Sequence, residues 1–210
     1  MSSQAHFSNM TVSQLLAALA SPDPTPGGGT ASAVVGAMGT SLLVMVTGLA
    51  KSKSNTDDEK AALAAARATV TPITGTLTQL ADADTEAFNA VMAAYRLPKG
   101  SDDEKSARTQ AIQHALRGAT EVPLETLRAC AQAVNAGRAV ASHGNRSAAS
   151  DVGVAFGLLK AAADGAAANV RINLDSIKDE TYRAATAAEL SRLSDQVATQ
   201  CAEAIRALAD

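Results

Sequence analysis

PTPGGGTASAVVGAMGTSLLVMVTGLA, residues 24–50, is the stretch from which the architecture can be read. Pro24 and Pro26 fix φ and bring the chain in extended. Gly27, Gly28 and Gly29 then permit positive φ and a close backbone approach. From Thr30 to Ala50 there is no charge, and small residues alternate with Val34, Val35, Met38, Leu42, Leu43, Met45, Val46 and Leu49. The pattern predicts a helix from about Gly29 to Lys53, apolar all round and so buried as the centre of a helical domain. Its first-turn amides would open beside a glycine-lined gap, which suits an anion or a polar ligand. The run is long enough to span a bilayer. Its hydroxyls (Thr30, Ser32, Thr40, Ser41, Thr47), its glycines and the lack of an aromatic belt argue for a protein interior and against a membrane.

The rest of the composition agrees. The 210 residues are 47% hydrophobic yet only 2% aromatic, and alanine is nearly a quarter of the chain. Ala and Leu favour helices, and the residues that favour strands are sparse. A core of Ala, Leu and Val needs closely approaching helices, so the expected fold is all-α: one bundle-like domain around a long buried helix. Flat small-residue faces and an all-apolar central helix further predict a homodimer. A net charge of −3 and a pI near 5.6 speak against nucleic acid. Cys130 and Cys201 lack metal-ligand spacing, and residues 1–10 lack a secretion signal. The expectation is a reduced, cytoplasmic protein, with residues 1–10 disordered and residues 11–208 folded.

Local signals set the helices. Thr11 and Gln14 form a capping box, and so do Ser101 and Glu104. A long helix is expected from about Asp57 to Tyr95, kinked at Pro72, and another from Ser101 to about Ser142, kinked or restarted at Pro123. Ser147 or Ser150 would cap the next, ending near Asn169, and Asp179 would open the last.

Two polar sets stand out. Asp82 and Asp84 lie two residues apart inside an apolar-patterned helix, about 200° round its axis, so at least one carboxylate points inward and needs a partner or a ligand. Such a group is a natural proton shuttle. Asn145, Ser150, Asp151, Asn169 and Asn173 form the second set. Asn169 and Asn173 share a helix face if the helix continues through them. Neither His6, His114 nor His143 has triad or metal spacing; His114 reads as a surface residue, and His143 sits beside a Gly–Asn turn.

Pro-Thr-Pro-Gly-Gly-Gly (24–29) with Met45-Val46, Asp84 with Ala87-Phe88, Leu97-Pro98-Lys99 with Arg108, Val122-Pro123-Leu124, Gly144-Asn145 with Ser150-Asp151, and Asn169-Val170 with Ile172-Asn173 occur in that order. In this the chain resembles the cyclodeaminase/cyclohydrolase family over about residues 11 to 208. The resemblance implies an all-helical dimer with a folate site near the subunit interface, acting on the one-carbon bridge of tetrahydrofolate. It implies Asp84 and Lys53 as catalytic residues, with Lys51 an alternative to Lys53 because the local pattern Ala50-Lys51-Ser52-Lys53-Ser54 departs from the family's. It implies Thr25, Gly27, Gly28, Gly29, Thr30, Asn145, Ser150, Asp151, Asn169 and Asn173 around the substrate, with no metal and no cofactor beyond the folate itself. Hydrolysis of 5,10-methenyltetrahydrofolate is the expected reaction, since the 210 residues include no transferase domain; formiminotetrahydrofolate cyclodeamination is the alternative. A non-catalytic helical assembly protein is the rival of another class.

Overall fold

The computed structural model describes residues 6–49 and 55–209. Six α-helices make up the domain, and no strand occurs among the described residues: α1 (Val12–Leu19), α2 (Gly28–Thr47), α3 (Asp57–Tyr95), α4 (Asp102–His143), α5 (Ala149–Leu174) and α6 (Glu180–Ala209). The expected capping boxes are present at Thr11/Gln14 and Ser101/Glu104, and a third, Thr56/Glu59, starts α3. Asp57, Asp58 and Glu59 in that first turn also complement the helix dipole. Pro72 and Pro123 both sit inside continuous helices.

α2 runs antiparallel between α3 and α5. On the α3 side Thr30 meets Ala81 and Asp84, Thr40 meets the Thr74 hydroxyl at 2.9 Å, and Thr47 meets Arg67 at 3.3 Å. The α3 numbers fall as the α2 numbers rise, which fixes the direction. On the α5 side Gly39 lies so close that a Cβ there would come within 2.9 Å of the Ala155 carbonyl and of Leu159. Gly36 is similarly walled by Leu77, Ala162 and Cys130. Backbone proximity thus replaces aromatic bulk, and Phe156, completely buried, is the largest side chain of the core. Both cysteines lie in that core, where burial pushes the Cys130 thiol up to about 12 and Cys201 to about 11, so neither is a thiolate at neutral pH.

Several expectations need correcting. α2 ends at Thr47, capped by Gly48, instead of reaching Lys53, which lies outside the described residues. Nor is α2 buried on all sides: Met38 is 54% and Met45 42% exposed, along one unpartnered face. The helix in contact with most of its neighbours is α4, which packs on α2, α3, α5 and α6. α5 continues through Asn169 to Leu174, because Val170 and Leu174 bury one side of that turn. It is led by a 3-10 turn, Arg146–Ala148, that Asn145 caps through its side chain; neither Ser147 nor Ser150 is the cap. No described glycine has positive φ, and among the glycines at 27–29 only Gly29 sits where a Cβ would not fit. Residues 7–9 form a 3-10 turn held to α3 by Asp82, so the folded chain begins earlier than the sequence suggested.

α6 is fastened to α4 by charge. Arg128 bonds Glu189 at 2.8 and 2.6 Å, Glu125 at 2.7 Å, and also Glu121. Removing the guanidinium would leave three carboxylates repelling one another at the α4–α6 seam. For a partly exposed network the expected cost of Arg128→Ala is about 1 kcal/mol, shrinking in high salt. That corresponds to roughly 2–4 °C in Tm for a domain of this size, measurable by thermal melts at low and high salt.

Candidate active site

The first turn of α2 meets the middle of α3. The backbone N–H of Thr30 donates to Asp84 Oδ2 at 2.9 Å, and the Thr30 hydroxyl lies 3.2 Å from the same oxygen. That hydroxyl is also 3.2 Å from the Ala81 carbonyl and 3.5 Å from the Thr85 hydroxyl. Thr30 is fully buried and Thr85 nearly so, while Asp84 is half-buried. A Cβ on Gly29 would stand 2.1 Å from Asp84 Oδ1, far inside van der Waals contact. Gly29 is therefore what lets the carboxylate lie against the helix start.

This changes the role of the glycine-rich segment. The anion at the N-terminus of α2 is the protein's own Asp84 carboxylate, and the Thr30 amide is already engaged with it. Burial raises the Asp84 carboxyl above its ordinary 3.8, and the Thr30 hydroxyl and amide bonds pull it partly back. The result is a half-buried carboxylate of raised proton affinity, fit for proton transfer. Asp82 turns elsewhere: it accepts from the Phe7 amide at 2.6 Å and the Ser8 hydroxyl at 2.9 Å, with His6 at 3.4 Å. One of the two aspartates thus lies against the start of α2, and the other anchors the N-terminal segment.

Asn169 joins Asp84 at this end. Its amide nitrogen lies 3.6 Å from where a Gly28 Cβ would be, and it back-bonds to the Gly165 carbonyl at 2.8 Å. Asn173, one turn on, donates to the Ala119 carbonyl at 2.7 Å and so ties α5 to α4. Gly27, in extended conformation, is the N-cap of α2 and follows a cis Thr25–Pro26 peptide. Gly28, Gly29, Thr30, Asp84 and Asn169 are thus brought together, with Thr25 and Gly27 in the segment that leads into α2. α3 continues 11 residues past Asp84 to Tyr95, about 16 Å, and stands as a wall beyond the start of α2.

The remaining predicted residues are not at this end within one chain. Asp151 lies 18 residues before Asn169 on the same helix, roughly 27 Å away. Asn145 Oδ1 caps the 3-10 turn by accepting from the Ser147 amide, and Ser150 follows in the first turn of α5. Gly144 packs against Val46, so this group sits at the C-terminal end of α2. His143 is there too, 3.5 Å from Glu59, with its carbonyl accepting from Asn55. His114 is exposed on α4, as expected. Lys51 and Lys53 fall outside the described residues. Thr85 was missed, although its signal was present: the buried stripe Val70, Ile73, Leu77, Ala81 advances by three and four and lands on Thr85 next. Among the described residues no group of three or more His, Cys, Asp or Glu is arranged to hold a metal.

Comparison with known proteins identifies the family. The family model described as Formiminotransferase-cyclodeaminase matches residues 11–192. A methenyltetrahydrofolate cyclohydrolase of Methylorubrum extorquens is 40% identical over 185 residues, which span 88% of this chain and 89% of that one. The formimidoyltransferase-cyclodeaminase of Rattus norvegicus is 35% identical over 84% of this chain, which spans only 33% of the rat protein. The crystal structure of formiminotetrahydrofolate cyclodeaminase from Thermotoga maritima superposes with a TM-score of 0.84 at 30% identity, covering 96% of each chain. Six helices in this arrangement, and the sequence matched over nearly all of them, make the chain a member of the formiminotransferase-cyclodeaminase family.

Proposed function

We propose that the protein hydrolyses 5,10-methenyltetrahydrofolate to 10-formyltetrahydrofolate, with Asp84 as the general base. The observation that carries this reading is the Asp84 carboxylate, half-buried and held by Thr30 against Gly29. The bridging carbon of the substrate is a cationic amidinium between N5 and N10. A carboxylate beside it stabilises that charge and accepts a proton from the attacking water. The carbon–N5 bond then breaks as N5 takes a proton, and one proton is released overall. The 40% identity to a cyclohydrolase, with both chains covered nearly end to end, supports this reaction over deamination. Asn169, with paired amide donor and acceptor, suits the hydrogen-bonding edge of a pterin.

The second reading is cyclodeamination, favoured by the structural likeness to the Thermotoga maritima protein. In it N10 attacks the formimino carbon and ammonia leaves after protonation. One spectrophotometric assay separates the two. Methenyltetrahydrofolate absorbs in the near ultraviolet, so its disappearance marks hydrolysis. Its appearance from formiminotetrahydrofolate, with ammonia release, marks deamination. If the absorbance stays flat with both substrates, neither reading survives.

The working form we propose is a two-fold dimer built on the open face of α2. That face carries Met38 and Met45 and borders a groove of about 620 Å³, also lined by Phe7, Leu15, Val34 and Val154. α2 has no charge along its length of about 30 Å. Antiparallel pairing about its middle would set the Asn145–Asp151 end of one copy beside the Asp84 end of the other, which accounts for the split of the expected site. The expected result is loss of activity on dilution to monomer, followed by sedimentation. Mixing inactive Asp84→Asn and Asp151→Asn chains should restore activity in heterodimers, which keep one intact composite site. Full activity in a monomer would place the whole site in one chain.

A further inference from the structure

The Thr30 hydroxyl has a choice of two acceptors: Asp84 Oδ2 and the Ala81 carbonyl, both at 3.2 Å. A hydroxyl has one proton and rotates to suit its surroundings. We propose that Thr30 is the positioning residue for Asp84, holding Oδ2 so that Oδ1 is the oxygen that exchanges protons, and turning its own hydroxyl between Asp84 and Ala81 as the carboxylate gains and loses a proton. This rests on the reading of Asp84 as a general base.

The geometry supports each part. Amide and hydroxyl of Thr30 both address Oδ2, so the carboxylate is fixed in one rotamer with Oδ1 outside that pair of bonds. Two donors on one oxygen favour the ionised form. When Asp84 is protonated, the hydroxyl can turn to the Ala81 carbonyl and keep its proton bonded in a fully buried position. Thr85, at 3.5 Å, adjoins the Thr30 oxygen and stands one helix position from Asp84. A structural threonine would need only the Ala81 bond.

Few other charges compete for control of Asp84. α2 has none between Gly28 and Thr47, and the buried residues of α4 from Ile112 to Leu124 are uncharged. On α3 the neighbours are Asp82, tied to His6, Phe7 and Ser8, and Glu86, which is exposed. On α5 the nearest charge along the helix from Asn169 is Arg171, also exposed.

The test compares Thr30→Val, Thr30→Ala and Thr30→Ser with the parent. Loss of the hydroxyl should move the acid limb of the kcat profile up by about one pH unit, so that kcat on that limb falls about tenfold and recovers above it, with KM little changed. Thr30→Ser should restore the parent profile. The same displacement should appear in the ¹³C carboxyl titration of Asp84 followed by NMR without substrate. That readout does not depend on which folate is turned over, or on any turnover at all. Identical Asp84 midpoints in the parent, Thr30→Val and Thr30→Ala, with all three folded by thermal melt, would overturn the proposal.

Discussion

Asp84→Asn is expected to lower kcat by about 10²- to 10⁴-fold while leaving the melting temperature at neutral pH unchanged or raised. Asparagine keeps the shape and can still accept from the Thr30 amide, but it takes no proton. The stability half follows from the direction of the carboxyl's shift. Burial raises Asp84 above 3.8, so between that value and its folded-state value the native chain holds a proton that the unfolded chain has lost. Stability therefore falls as pH rises through that window, and at neutral pH the ionised carboxylate is a cost to the fold. Replacing it removes the cost. Steady-state kinetics with melts at pH 4 and pH 7.5 check both halves. A variant that is active, or that is destabilised at pH 7.5, would show that Asp84 is structural.

Gly29→Ala should be nearly as damaging, through sterics alone. The new methyl group would fall 2.1 Å from Asp84 Oδ1 and 2.5 Å from its Cγ, so the carboxylate must leave its place against Thr30. A displacement of about 1 Å at a reacting group costs on the order of 10²-fold in rate. Overpacking costs about 1–3 kcal/mol, against which the better helix propensity of alanine returns at most about 1 kcal/mol. Gly28→Ala is the control, since its methyl meets only the Asn169 amide at an ordinary 3.6 Å. Adding Asp84→Ala to Gly29→Ala should recover most of the lost stability and none of the activity. Additive destabilisation in that double-mutant cycle would mean that the two positions do not touch.

Asp84 and Asp82 illustrate how far a sequence can be read. Their separation of two residues already required that one face inward, because a helix cannot present both to solvent equally. Which one it was depended on the level at which α2 meets α3, and on a Phe7–Ser8 turn arriving from 74 or more residues away to occupy Asp82. Asn169 and Asn173 read correctly as one face, but the helix was expected to stop there. Asparagine is a poor helix former in isolation, and the burial of Val170 and Leu174 overrides that preference.

Readable from the chain alone were the all-α class, the helix starts at Thr11 and Ser101, the passage of α3 through Pro72 and the need for at least one of Asp82 and Asp84 to face inward. These follow from capping chemistry, residue propensity and the 3.6-residue period, which act over a few neighbours. Packing of the helices was needed to set that Gly29 makes room for a carboxylate 55 positions away, that the Thr30 amide is spent on it, and that Asn145, Ser150 and Asp151 stand at the opposite end of α2. It also decided that one face of α2 stays open. Such relations depend on the order in which helices pack around one another and on their relative heights. Burial of apolar surface fixes both, and burial responds to the sum of many weak contacts across the chain.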